Sequence, residues 1–237
     1  MKAQWIAIWP TAMIGLAVTG LAQSTTVRTH AYKLEETRLG PVDEERVNTV
    51  FSPDGKRVTY GAQKGTKVFV VVDGQESAKY DGIGKGTPVF SPDGKRLAFV
   101  AASGAEWSVV VDGQESEEYD AIGKGTPIFS PDGKRVAYVA RKGAKFFVVV
   151  DGQEGAKYDG IGKGTLVFSP DGKRLAYLAQ KGAKWSVVVD GQERAEYDTI
   201  GEGTLFSPDG KRVAFVAASG VVRGGGRKGG REVRRNR

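Results

Sequence analysis

Five aspartates recur at almost constant spacing, Asp54, Asp93, Asp132, Asp171 and Asp209, each inside the string Ser-Pro-Asp-Gly. A ring of carboxylates raises the question of calcium. One carboxylate per forty residues lacks the dense oxygen spacing of a calcium loop. An Asp in Pro-Asp-Gly is instead placed to accept N–H groups of its own turn. Asp73, Asp112, Asp151 and Asp190 each precede a glycine in a hairpin signal and carry the same interpretation. We expect no metal. A second series, Lys85, Lys124 and Lys163, stands in Gly-Lys-Gly and is broken by Glu202. These lysines are the candidate binding residues, with a plain solvated loop as the alternative. The glycine-rich text around them is no dinucleotide fingerprint, because no helix follows, and we expect no cofactor. Trp107, Phe146 and Trp185 share one column with Val68. Exposed, they would suit a peptide or glycan; packed between repeats, they are structural, as apolar columns in adjacent repeats usually are. Tyr60, Phe99, Tyr138, Tyr177 and Phe215 read as core.

The residues that are missing exclude more chemistry. There is no cysteine, hence no disulfide, thiolate zinc site or cysteine nucleophile, and the single histidine, His30, argues against most zinc and serine-hydrolase chemistry. An enzyme needs unlike residues converging from several loops. Here the loops are near copies and no acid–base pair is unique to one of them, so we expect no catalytic residues.

The 237 residues carry a formal charge of +7, with 40% hydrophobic content, enough for a core. The charge is concentrated at the C-terminus, where six arginines and Lys228 between Val221 and Arg237 face only Glu232. Outside that segment and Lys2, basic and acidic residues balance. A nucleic-acid-binding body is therefore not indicated.

The elements that carry these residues repeat. Phe-Ser-Pro-Asp-Gly-Lys-Arg begins at Phe51, Phe90, Phe129 and Phe168, and Phe206 starts a fifth copy, at spacings of 39, 39, 39 and 38. Such a period marks a repeat architecture. In one period, Ser130-Pro131-Asp132-Gly133 is a turn, followed by strand Arg135–Ala140 and a turn at Lys142-Gly143. Strand Lys145–Val150 then closes at Asp151-Gly152, a hairpin signal. A weaker strand, Ala156–Asp159, leads through the loop Gly160–Gly164 into Thr165–Phe168. That predicts four antiparallel strands per repeat and no helix. The middle strands are apolar on both faces, as in Val136, Tyr138 and Ala140 against Ala137 and Val139, so each sheet must be covered on both sides. Radially stacked blades satisfy this and a two-sheet sandwich does not. The predicted fold class is an all-β propeller of about five four-stranded blades, possible incomplete closure included; a β-solenoid is the runner-up.

The string Phe-Ser-Pro-Asp-Gly-Lys-Arg-Val-Ala-Tyr resembles the repeat of TolB-type, WD-like β-propellers, where it marks the turn between the first two strands of a blade. The resemblance covers Phe51 to about Gly220. It implies recognition of a protein or peptide at the channel mouth or on one face. The N-terminal α/β domain of TolB itself has no room in residues 23–45.

Ala3–Ala22 is an uncharged apolar run ending in Gly20 and Ala22, which fits a cleaved secretory signal over residues 1–22. An uncleaved anchor is the competing interpretation. Either exports the rest to a periplasmic or extracellular location, with no membrane span left after cleavage. Residues 23–45 form an extension, and strands from Thr25–Leu34 and Arg46–Val50 are expected to complete the last blade of the propeller spanning 46–220.

The tail 221–237 departs from the repeat. Codons for Val-Val-Arg-Gly-Gly-Gly-Arg-Lys can be chosen so that reading one base later gives Trp-Ser-Val-Val-Val-Asp-Gly, and the match continues through Lys-Glu-Gly-Ala-Lys-Tyr-Asp-Ala-Ile. We expect the tail to be a frameshifted repeat; its rival is a genuine Arg/Gly tail for anionic partners. The chain is thus expected to be an exported, non-catalytic interaction module with a protein or peptide partner and no specific nucleic acid. The alternative is the non-catalytic propeller of a larger peptide- or carbohydrate-processing enzyme. A monomer is expected, with domain swapping open because near-identical strands can exchange partners.

Overall fold

The computed structural model describes residues 49–201 and 205–219 and the backbone of Glu232–Arg235. The signal expected over residues 1–22, the extension expected over 23–45, Glu202 and most of the tail lie outside the described residues. No helix occurs among the described residues.

Each repeat folds into one antiparallel sheet because its turns reverse the chain at fixed offsets. Asp73 and Gly74 have φ of 49° and 85°, the mirror-image geometry that matches strand twist in a two-residue hairpin, and the other copies follow. Blade 2 shows the pattern. Its first strand comes in two pieces, Gly82–Ile83 and Val89–Phe90, both paired with Leu97–Ser103. Glu106–Val111 follows as the third strand and Gln114–Glu115 as the exposed fourth, extended by a single bridge between Trp107 and Tyr119. Blades 3 and 4 repeat this order. Blade 1 runs Val50–Phe51, Val58–Lys64, Lys67–Val72, Gln75–Glu76. In blade 5, Thr199–Ile200 and Leu205–Phe206 pair with Val213–Ala218, whose other edge takes Glu232–Arg235 in the third-strand position.

The outer strand expected at Ala156–Asp159 is displaced. Gln153–Glu154 is the regular part, Gly155 donates to the Val148 carbonyl at 2.9 Å, and Tyr158 alone bridges to Phe146. Val50, expected to help complete the last blade, pairs with Thr59 in the first, because it directly precedes the turn of its own repeat.

Both faces of the inner sheets are buried, as the apolar second strands require. Val70 and Tyr80 of blade 1 pack on Leu97, Phe99 and Ala101 of blade 2, and Val109 and Tyr119 of blade 2 on Tyr138 and Ala140 of blade 3. Val148 and Tyr158 meet Leu175 and Tyr177, and Val187 and Tyr197 meet Phe215 and Ala217. An edge-to-face aromatic pair marks each interface, from Tyr80 on Phe99 at 5.9 Å to Tyr197 on Phe215 at 5.6 Å, a contact worth about 0.5–1.5 kcal/mol beyond its area. The stack is open. Val216 is 43% exposed on the outward face of blade 5, whereas Val100 at the same repeat position is 5% exposed against blade 3. The chain stacks its five sheets as consecutive blades without closing the ring.

Candidate binding loops on the first strands

Lys85, Lys124 and Lys163 do not precede the first strand of their blades, as the sequence suggests; they interrupt it. Gly84 keeps the pairing, donating to the Val100 carbonyl at 2.8 Å, and the chain then leaves the sheet as Lys85-Gly86-Thr87 before rejoining at Val89. The excursion is closed by Thr87, whose N–H and hydroxyl both donate to the Gly84 carbonyl, at 3.2 and 2.7 Å. Thr126 and Thr165 do the same on Gly123 and Gly162. Only glycine fits at position 84, since a Cβ there would lie 2.6 Å from the Val100 Cβ. The three lysines are exposed at the tips of these loops, one per blade on the first-strand edge of the sheet. None has a hydrogen bond or ion pair among the described residues. Their cationic heads are available to a partner, and Glu202, which breaks the series, lies outside the described residues.

The aspartates have the turn role expected from sequence. Asp54 Oδ1 accepts from the Ser52 hydroxyl at 2.6 Å and from the Lys56 N–H at 3.2 Å, and these bonds hold its carboxyl below the usual carboxylate range. Asp93, Asp132, Asp171 and Asp209 are shifted the same way by the same serine and lysine partners. Successive turns also touch: a Cβ on Gly133 would lie 2.7 Å from Asp93 Oδ1. Among the described residues no cluster of three or more potential metal ligands occurs. Trp107 and Trp185 are half-buried and pack against the inter-blade clusters, which places that column with the core. The tyrosine and phenylalanine column is 2–6% exposed and lies in the core.

One device escapes the sequence. Arg57 Nε donates to Asp73 Oδ2 at 2.7 Å, a second guanidinium nitrogen donates to the Lys95 carbonyl of blade 2 at 2.6 Å, and the guanidinium lies 5.5 Å from the Phe90 ring centre. Arg96, Arg135 and Arg174 make the same latch to the next blade. Its trace in the sequence is an Arg sixteen residues before an Asp, a spacing meaningful only once the register is known. Arg212 would need its partner at position 228, where the chain has Lys228.

No protein-family model matches the chain, and no curated protein matches it. Among solved structures, a eukaryotic initiation factor is similar at 13% identity and a TM-score of 0.50, over 76% of this chain and 50% of that one. TolB from Acinetobacter baumannii is similar at 19% identity and a TM-score of 0.37, over 78% of this chain and 52% of that one. The β-propeller domain of the Trilobed protease from Pyrococcus furiosus gives 14% identity and a TM-score of 0.36, over 81% and 69%. The chain is an open β-propeller. It spans about half the length of the initiation-factor and TolB chains it matches. At such identities the likeness concerns fold alone. The propeller's blade order and turn chemistry rest on its own residues.

Proposed function

We propose that this propeller is an exported, non-catalytic interaction module that binds an acidic protein or peptide segment along the first-strand loops. The observation that carries the proposal is the repetition of one exposed lysine, Lys85, Lys124 and Lys163, at the same place in three successive blades, each without an ion pair among the described residues. A periodic row of like charges suits an extended polyanionic partner, whereas catalysis calls for unlike groups at one point. Export is supported by the apolar run Ala3–Ala22.

The test is fluorescence anisotropy of a labelled glutamate-rich peptide with the full chain. Three exposed ion pairs of ordinary strength correspond to about tenfold in affinity. Replacing Lys85, Lys124 and Lys163 together by Gln is expected to weaken binding by about that factor. Binding unchanged by the triple variant but lost when the tail arginines are neutralised would refute the assignment. Mass spectrometry of the mature protein checks export: the expected chain starts near Gln23, and an intact Met1 in the exported fraction contradicts cleavage.

A further inference from the structure

The two ends of the blade stack differ. On the exit face of blade 5, Val216 is 43% exposed and Ala214 beside it is exposed as well. Blade 1 should be as bare on the face it turns away from blade 2, because no described blade precedes it. Yet Tyr60, Phe69 and Val71 on that face are only 3%, 6% and 4% exposed. Their cluster holds blade 1 residues alone, these three with Ala62 packed against them. Tyr60 pairs with Val71 and Ala62 with Phe69, so all four project from one side of a single hairpin. Lys79 Nζ lies 5.9 Å from the Phe69 ring centre, but one exposed lysine does not bury a whole face. A flat pair of strands does not hide its own surface, so the cover comes from chain outside the described residues.

The repeat indicates what that cover resembles. Blade 3 carries the same four residue types at the same places, Tyr138, Ala140, Phe147 and Val149, and there Val100, Val109 and Tyr119 of blade 2 join their cluster. Val70, Val109 and Val148, the third-strand valines that reach the following blade, each precede the Phe of the next Ser-Pro-Asp-Gly turn by 20 residues. Counting 20 back from Phe51 gives Ala31, inside the stretch Thr25–Leu34 in which the sequence predicts a strand. Val27, Ala31, Tyr32 and Leu34 supply that stretch with apolar groups. Glu35–Arg46 has seven charged residues in twelve and a proline, which suits a connection rather than a cover. At the other end of the chain, Glu232–Arg235 is committed to pairing within blade 5.

We propose that Thr25–Leu34 lies over the entry face of blade 1, on Tyr60, Ala62, Phe69 and Val71, instead of completing the last blade. It serves as a terminal cap, which stacked repeats need because a bare apolar end associates with other molecules. The complement of the entry face is present on this chain. Val216 holds in blade 5 the place of Val100, which packs on the same Tyr-Ala-Phe-Val set in blade 3. Without the cap, blade 5 of one copy would dock on blade 1 of the next, a head-to-tail contact that does not close and therefore grows. The cap is independent of the first-strand lysines, so its failure leaves the proposed function untouched.

The chain has no cysteine, so an introduced pair reports one contact without interference. Lys64 is an exposed residue that continues the Tyr60 and Ala62 side of its strand, and Val216 marks the exit face. Ala31→Cys is combined with Lys64→Cys in one full-length variant and with Val216→Cys in another, and each is treated with a short bismaleimide and digested for mass spectrometry. Linkage within one chain is expected for the first pair and not for the second. Linkage to position 216, or to neither position, would overturn the proposal. In a second experiment, Tyr32→Asp and Leu34→Asp together release the cap. The urea midpoint is expected to fall by about 1 M, and sedimentation should show oligomers that grow with concentration. Adding Val216→Asp is expected to return the protein to a monomer. An unchanged urea midpoint would mean that the segment covers nothing, and oligomers indifferent to Val216→Asp would refute docking of a second copy on the uncapped face.

Discussion

Replacing Arg135 by Ala removes three contacts that tie blade 3 to itself and to blade 4. These are the ion pair to Asp151 at 2.9 Å, the hydrogen bond to the Lys173 carbonyl at 3.0 Å and the placement of the guanidinium 5.6 Å from the Phe168 ring centre. About a third of the side chain is exposed, so the ion pair is screened and contributes about 0.5 kcal/mol. The charged hydrogen bond to a backbone carbonyl, discounted for the same exposure, adds about 1 kcal/mol. The cation–π contact adds about 0.5–1 kcal/mol. Asp151 is not orphaned, because Oδ1 still accepts the Val136 N–H at 2.8 Å. The expected loss is thus about 2 kcal/mol, read from the shift in a urea unfolding curve. Arg212→Ala is the internal control: the same repeat position lacks the aspartate, and its cost should stay below about 0.5 kcal/mol. Equal losses in the two variants would refute the claim that the arginine acts as a latch between blades.

Acid should unfold the stack through its turns. The five Ser-Pro-Asp-Gly carboxyls have folded pKa values below the unfolded value, so their stabilisation is complete above about pH 4 and is lost as pH falls through the depressed values. A Tm that stays flat from neutral pH to well below that point would contradict this. Gly84→Ala forces a Cβ to within 2.6 Å of the Val100 Cβ and should cost about 1–3 kcal/mol by thermal melting; a neutral substitution would mean that the loop is not seated as described. If residues 221–237 are a frameshifted repeat, resequencing the coding DNA beyond the Gly220 codon should show repeat text continuing one base out of frame. Absence of such text would leave the basic tail as a genuine segment.

The parts of the fold legible in the sequence are those fixed by local chemistry. Pro-Asp-Gly and Asp-Gly dictate turns, and a second strand such as Leu97–Ser103, apolar on both faces, demands neighbours on both sides. The interruption of the first strand was not legible, because Gly82–Ile83 is too short to show a period and its pairing with Ala101 and Ala102 depends on a register set elsewhere. The role of Asp54, Asp93 and their counterparts follows from the turn itself, and so sequence sufficed. The second function of Asp73, Asp112, Asp151 and Asp190, gripping the latch arginines, involves a residue sixteen positions earlier and a carbonyl in the next blade. The exposed tips at Lys85, Lys124 and Lys163 were visible in the sequence as Gly-Lys-Gly, but their position within the first strand was not.

The open stack is tested most directly by placing a charge at one repeat position in two blades. Val100 is covered by blade 3 and Val216 faces outward from blade 5. Val100→Asp buries an unpaired carboxylate and should cost several kcal/mol, abolishing the cooperative urea transition or moving it to far lower denaturant. Val216→Asp should leave the transition where it is in the unmodified chain. A comparable collapse in both variants would show that the face of blade 5 is covered, and would contradict an open propeller.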